Sequence, residues 1–210
     1  MVDQVLLYIS AAPDLELERD LLSRTATEIP VTLGWRIVHT PLRGEPPDLV
    51  AVTQADVHLF ILGVDIQAPI GHEWFAARKA GKFPKMFLKG DTVRTPAAQA
   101  YVREMSAHVT WINFKDISDL HHQVLGLLAD HLIDNAIYFQ LRPAEYEQLE
   151  NWRQELSSGG VKHVEGTRGG AGASSVVLST ERYVPSEGVL IKDPKKTVPS
   201  KRRGGSVVNE

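Results

Sequence analysis

The stretch from Ala55 to Lys82, ADVHLFILGVDIQAPIGHEWFAARKAGK, limits the architecture more than any other. Within it Val57–Leu62 is a short, mostly apolar run with β-branched and aromatic residues, closed by Gly63. Such a run reads as a strand covered on both faces, which is how strands of a parallel sheet read. Residues 63–69 form a loop. Pro69 can open a helix, because the first helical positions have no intrahelical N–H bond to lose. Phe75, Ala76 and Ala80 fall near one face of that helix, Gly81 stops it, and Glu73 lies near its start. Ligands of open α/β sheets bind beyond the carboxyl ends of the strands, so Glu73 is expected there.

The rest of the chain repeats this alternation. Strands are expected at residues 5–10, 35–39, 57–62, 84–89 and 109–113. Between them Ala12-Pro13-Asp14 opens a helix with Asp14, Glu16 and Glu18 in its first turns, where the macrodipole favours acids. Its apolar positions are Leu15, Leu22 and Ile29, and Pro30 ends it. Asp48 caps a short helix, Pro96 opens another, and Asp116 caps a long one whose stripe is Ile117, Leu120, Val124, Leu128 and Leu132. Strands alternating with helices predict a flavodoxin-like, doubly wound parallel sheet of five strands in the order 2-1-3-4-5.

This α/β domain is expected to occupy residues 1–139. Residues 140–191 are read as an extension: a charged helix over Pro143–Ser157, a Gly-rich loop over 159–175, and two apolar runs, 176–178 and 189–191, that can pair as a hairpin around Pro185–Gly188. Residues 192–210 hold six basic and two acidic residues and are read as a solvated basic tail. The whole chain has a formal net charge of −3, which argues against a nucleic-acid binder, and Lys201-Arg202-Arg203 lacks interleaved aromatics. With no cysteine, disulfides and thiolate metal sites are excluded. No apolar window reaches membrane-span length, and MVDQVLLYIS lacks the basic n-region of a signal peptide, so a cytoplasmic protein is expected. His121, His122 and His131 lack the spacing of paired metal ligands, and no metal site is expected.

Three loops should converge at the carboxyl edge, over residues 10–14, 63–69 and 90–96. They bring Ser10, Asp65 and Glu73 within reach of one ligand, and helix starts at Pro13 and Pro69 would aim N–H groups at a phosphate. Arg43 lies in the irregular loop after the second strand, and Trp74 or Trp35 offers a stacking face. Each also has a plainer role: Glu73 in capping, Ser10 in a turn, Arg43 and Asp65 on a solvated loop.

YISAAPDLELERD (residues 8–20) resembles the opening of TIR-like domains at the front of bacterial multidomain signalling and defence proteins. Those begin with a hydrophobic strand, a hydroxyl-rich turn and Asp-Leu-x-x-Glu-Arg-Asp. Asp14, Leu15, Glu18, Arg19 and Asp20 match; Ser10 is kept, but Ala11 and Ala12 replace the usual hydroxyls. ADVHLFILG and GHEWFAARKAGK resemble the family's third strand and glutamate helix, so the likeness spans about residues 4–135. TIR domains and nucleoside deoxyribosyltransferases share this fold type and carry a glutamate on this helix. The resemblance therefore implies that Glu73 is a catalytic carboxylate cleaving the N-glycosidic bond of NAD or a related nucleotide. NAD would be substrate, with no cofactor. Ser10, Asp65, Arg43 and Trp74 would bind it. The alternative it leaves open is a non-catalytic module that self-associates or recruits a protein partner; Ala11 and Ala12 favour that alternative. A nucleoside deoxyribosyltransferase is a third idea, for which Ala11-Ala12 supplies too few polar groups.

Overall fold

A computed structural model of the chain describes residues 4–41, 45–158 and, as backbone, 176–178. In order these form β1 (Gln4–Ala11), a 3₁₀ turn (Pro13–Leu15), α1 (Glu16–Thr25), a second 3₁₀ turn (Ala26–Glu28), β2 (Gly34–His39) and α2 (Leu49–Gln54). There follow β3 (Val57–Leu62), α3 (Ala68–Lys79), β4 (Lys85–Lys89), α4 (Pro96–Met105), β5 (Trp111–Phe114), α5 (Ile117–Asp134), α6 (Pro143–Ser157) and β6 (Val176–Leu178). The first five strands are all parallel in the order 2-1-3-4-5, so the fold is flavodoxin-like α/β as the alternation predicts.

The last described strand takes a place that the alternation does not predict. Val176–Leu178 runs parallel to β2, with Trp35 opposite Val176 and Ile37 opposite Leu178, and adds a sixth strand at that edge. The backbone of an edge strand offers a long-range partner to a short apolar run. Residues 189–191, Arg43 and the basic tail lie outside the described residues. Among the described residues no helix is long and apolar enough to cross a membrane.

Side-chain alternation along β1 divides the core. Val5, Leu7 and Ile9 join Leu15, Leu22, Leu120, Val124 and Leu128 under α1 and α5. Leu6 and Tyr8 point the other way, toward Ala51, Val52 and Ala77 of α2 and α3. Helix α6 belongs to the first layer, since Leu149 and Leu156 enter that core. Glu145 fastens its first turn. It accepts the Thr32 N–H and hydroxyl at 3.1 and 2.5 Å, and pairs with Arg142 at 3.0 Å. These bonds, Arg142 foremost, hold its carboxyl down at about 2.

Helix α3 sets the site. Its buried residues are Ile70, Glu73 and Ala77, spaced i, i+3, i+7. The stripe expected through Phe75 is instead the outer face, with Phe75 60% exposed. The helix ends where Gly81 adopts φ 76°, a left-handed turn that costs glycine no Cβ clash. Lys82 N–H then closes on the Ala77 carbonyl at 2.9 Å.

Candidate functional site

Five polar residues meet under α3 on the α2/α3 side of the sheet. Tyr8 and Ser10 are two apart on β1 and so share a face. His58 sits opposite Tyr8 on β3, its ring edge-on to the tyrosine at 5.2 Å between centroids. Thr40 lies just past β2, and its N–H bonds the Ile9 carbonyl. Glu73 is delivered from α3 by the inward stripe and is 0% exposed.

The carboxylate of Glu73 is the hub. Tyr8 donates its hydroxyl to Oε1 at 2.8 Å, while Ser10 and Thr40 donate theirs to Oε2 at 2.5 and 2.6 Å. Behind them the Ala11 N–H donates to Thr40 Oγ1 at 3.3 Å, and His58 Nε2 lies 2.8 Å from Ser10 Oγ. A serine has one proton. If that proton serves Glu73, His58 Nε2 must carry a hydrogen and donate to Ser10 Oγ. Nδ1 of His58 is then a bare acceptor, and it has no hydrogen-bond partner. Every hydrogen in the cluster therefore points toward Glu73, which is the pattern an ionised carboxylate requires. A protonated Glu73 would carry its hydrogen on Oε1 and offer it to the Tyr8 hydroxyl, while the Ser10 and Thr40 bonds to Oε2 persist, so the Tyr8 contact is the one that changes between the two states.

Two effects oppose each other on Glu73. Burial disfavours the charge and pushes the carboxyl above its ordinary range, while the Ser10, Thr40 and Tyr8 hydroxyls pull it back. Burial wins. Burial also brings His58 down to about 4, so its imidazole is neutral at neutral pH. Among the described residues Glu73 has no ion pair. A buried carboxylate whose hydrogen-bond partners among the described residues are neutral hydroxyls is a poor way to stabilise a fold, because a well-packed apolar side chain does as well or better. Such groups concentrate at functional sites.

The expected site residues divide. Ser10 and Glu73 come together. Asp65 turns elsewhere and accepts the Thr95 hydroxyl at 2.5 Å. Trp74, one residue and about 100° round the helix from Glu73, packs partly buried with Phe60, Ile70 and Met105 toward α4. Trp35 is 0% exposed in the opposite layer and offers no stacking face. At the strand ends, the loops after β1, β3 and β4 bond to one another. Asp14 accepts the Val64 N–H at 2.8 Å, and the Thr95 N–H bonds the Val64 carbonyl at 3.0 Å. A Cβ on Gly63 would run into Asp14 Oδ2, so glycine permits this close approach. His121 pairs with Glu28 at 2.8 Å.

Tyr8, Thr40 and His58 are members that the sequence reading missed. His58 carried a usable signal, being the one polar residue in the run VHLFIL. A polar group in a strand covered on both faces must find a buried partner. Tyr8 carried another through its two-residue spacing from Ser10.

The fold and this cluster define a flavodoxin-like α/β domain with a carboxylate buried beneath the crossover helix that follows β3. Comparison of the chain with family models, with curated proteins and with solved structures returns no match.

Proposed function

We propose that the chain is a TIR-like signalling or defence effector that cleaves the N-glycosidic bond of NAD or a related nucleotide, with Glu73 as the reacting-centre carboxylate. The observation that supports it is a buried carboxylate with no ion pair among the described residues, ringed by hydroxyls from β1 and the end of β2. In this reaction the C1′–N bond breaks and its electron pair passes to the pyridinium ring, which leaves as neutral nicotinamide. No acid is needed for the leaving group. The positive charge that develops on the ribose is what must be stabilised, and one anion in a water-poor site does this well. Ribose hydroxyls are donors of the same kind as Ser10 and Thr40. On substrate entry they take over the Oε2 contacts, so the carboxylate exchanges one set of donors for another. Water then adds at C1′ and its proton passes to solvent.

A second reading is favoured by the zero exposure of Glu73 and by Ala11 and Ala12 beside it. There the cluster is an internal fastening, and the domain is an interaction module that self-associates or senses a nucleotide.

Nicotinamide release from NAD, measured across protein concentration with light scattering on the same samples, separates the two. The enzyme reading expects turnover that falls about a hundredfold or more in Glu73→Gln. A folded wild-type chain that releases nothing in any assembly state, or a Glu73→Gln variant with unchanged turnover, overturns it in favour of the module.

A further inference from the structure

A second site lies on the opposite face of the sheet. A cavity of about 460 Å³ opens between α5 and the amino-terminal halves of β3, β4 and β5. Its volume falls in the range of small-molecule pockets. The floor is apolar, with Val57, Phe87 and Ile112 on neighbouring strands. One wall is the α5 stripe of Gln123, Leu127 and His131, spaced four residues apart.

Two polar atoms on this wall lack a partner. Gln123 uses its Nε2 twice, donating to the Asn113 carbonyl at 3.1 Å and to Asp119 at 2.7 Å. That fixes which way the amide points, and its Oε1 is left buried with no hydrogen-bond partner. His131 Nε2 is likewise buried and without one. Arg153, at one end, is committed to Asp130 through bonds of 2.6 and 3.0 Å. It lies against α5 where Gly126 has no side chain: a Cβ there would sit 3.4 Å from the guanidinium carbon. With that pair neutralised, the lining keeps Lys85 against Asp56 and Asp134. A phosphate would meet two carboxylates and one cation there, so the charge balance disfavours anions.

From this we infer that the α5 cavity binds a flat heteroaromatic ring bearing an exocyclic amino or amide group, of nucleobase type and without phosphate. The ring lies on Ile112 and Leu127, which are half-buried above the closed part of the floor at Val57 and Phe87, and its N–H₂ satisfies Gln123 Oε1. His58 of the Glu73 cluster also borders this cavity, but its ring lies against Tyr8 and Ser10 on the other face, so the two readings rest on different side chains.

Adenine is the probe, titrated into the full chain and followed by amide NMR, with AMP as the charged comparison. Saturable shifts are expected at Ile112, Leu127 and the Gln123 side-chain amide, with Kd of about 0.1–1 mM, the range of a small ring with few contacts. AMP should bind about tenfold or more weakly than adenine. Gln123→Leu removes the acceptor and should weaken adenine about tenfold. Ile112→Trp, at a half-buried position, fills the floor and should abolish the shifts if Gln123→Leu proves unstable. Glu73→Gln should leave them unchanged. No saturation by about 5 mM, AMP binding as tightly as adenine, or shifts centred on Tyr8 and Ser10 would each overturn the inference.

Discussion

Replacing Glu73 by alanine is expected to lower the free energy of unfolding by about 3–5 kcal/mol, a large share of what a domain of this size possesses. The change removes the acceptor toward which Tyr8, Ser10 and Thr40 all point, and leaves an empty volume beneath α3. Glu73→Gln keeps the shape but offers two amide hydrogens to groups that are themselves donors. Ser10 and Thr40 can turn to accept, so its cost should be nearer 1–2 kcal/mol. Urea denaturation of the three proteins measures both differences. An alanine variant within about 1 kcal/mol of wild type would mean that the carboxylate is not enclosed as described.

Acidification provides the second large effect. His58 and His39 are both held at about 4 by burial, against 6.5 when unfolded. For each, the unfolded chain takes up a proton between these values while the native chain does not. Stability contributed by keeping them neutral is therefore complete above about pH 6.5 and is lost as pH falls toward 4, by about 3 kcal/mol per histidine. Glu73 acts in the opposite sense. Its carboxyl is raised, so the native state gains a proton before the unfolded state does, and acid relieves part of its burial cost. Because Ser10 joins His58 to Glu73, the observed midpoints belong to the cluster and not to single residues. Denaturant midpoints taken from about pH 7 to about pH 4.5 should fall steeply. In His58→Gln and in His39→Gln the fall should be shallower, because each lacks one of the two protonations. Parallel pH profiles for wild type and both variants would contradict the assignment.

The five-strand order was legible because each strand is an apolar run of strand length and each connection carries a helix signal such as Asp48, Pro96 or Asp116. The fate of Val176–Leu178 was not, since a three-residue apolar run carries no information about which edge it joins. The pairing of Ser10 with Glu73 was readable from their places at the strand end and on the following helix. Asp65 and Trp74 were misleading for geometric reasons. Asp65 has a nearer hydroxyl in Thr95, and Trp74 is turned by one helical step into the layer that faces α4. Thr40 gave no sign of its role, because its position depends on how β2 ends beside β1, which is a tertiary fact.

The titration of the Glu73 side-chain carboxyl, followed by carbon-13 NMR and assigned with Glu73→Gln, bears most directly on the account. The resonance should titrate above the ordinary glutamate range, and should move higher still in Tyr8→Phe and Thr40→Val, since each takes a donor from the charged form. A Glu73 carboxyl that titrates in the ordinary glutamate range, unmoved by either substitution, would contradict a buried anion held by hydroxyls, and the proposed chemistry would lose its reacting group.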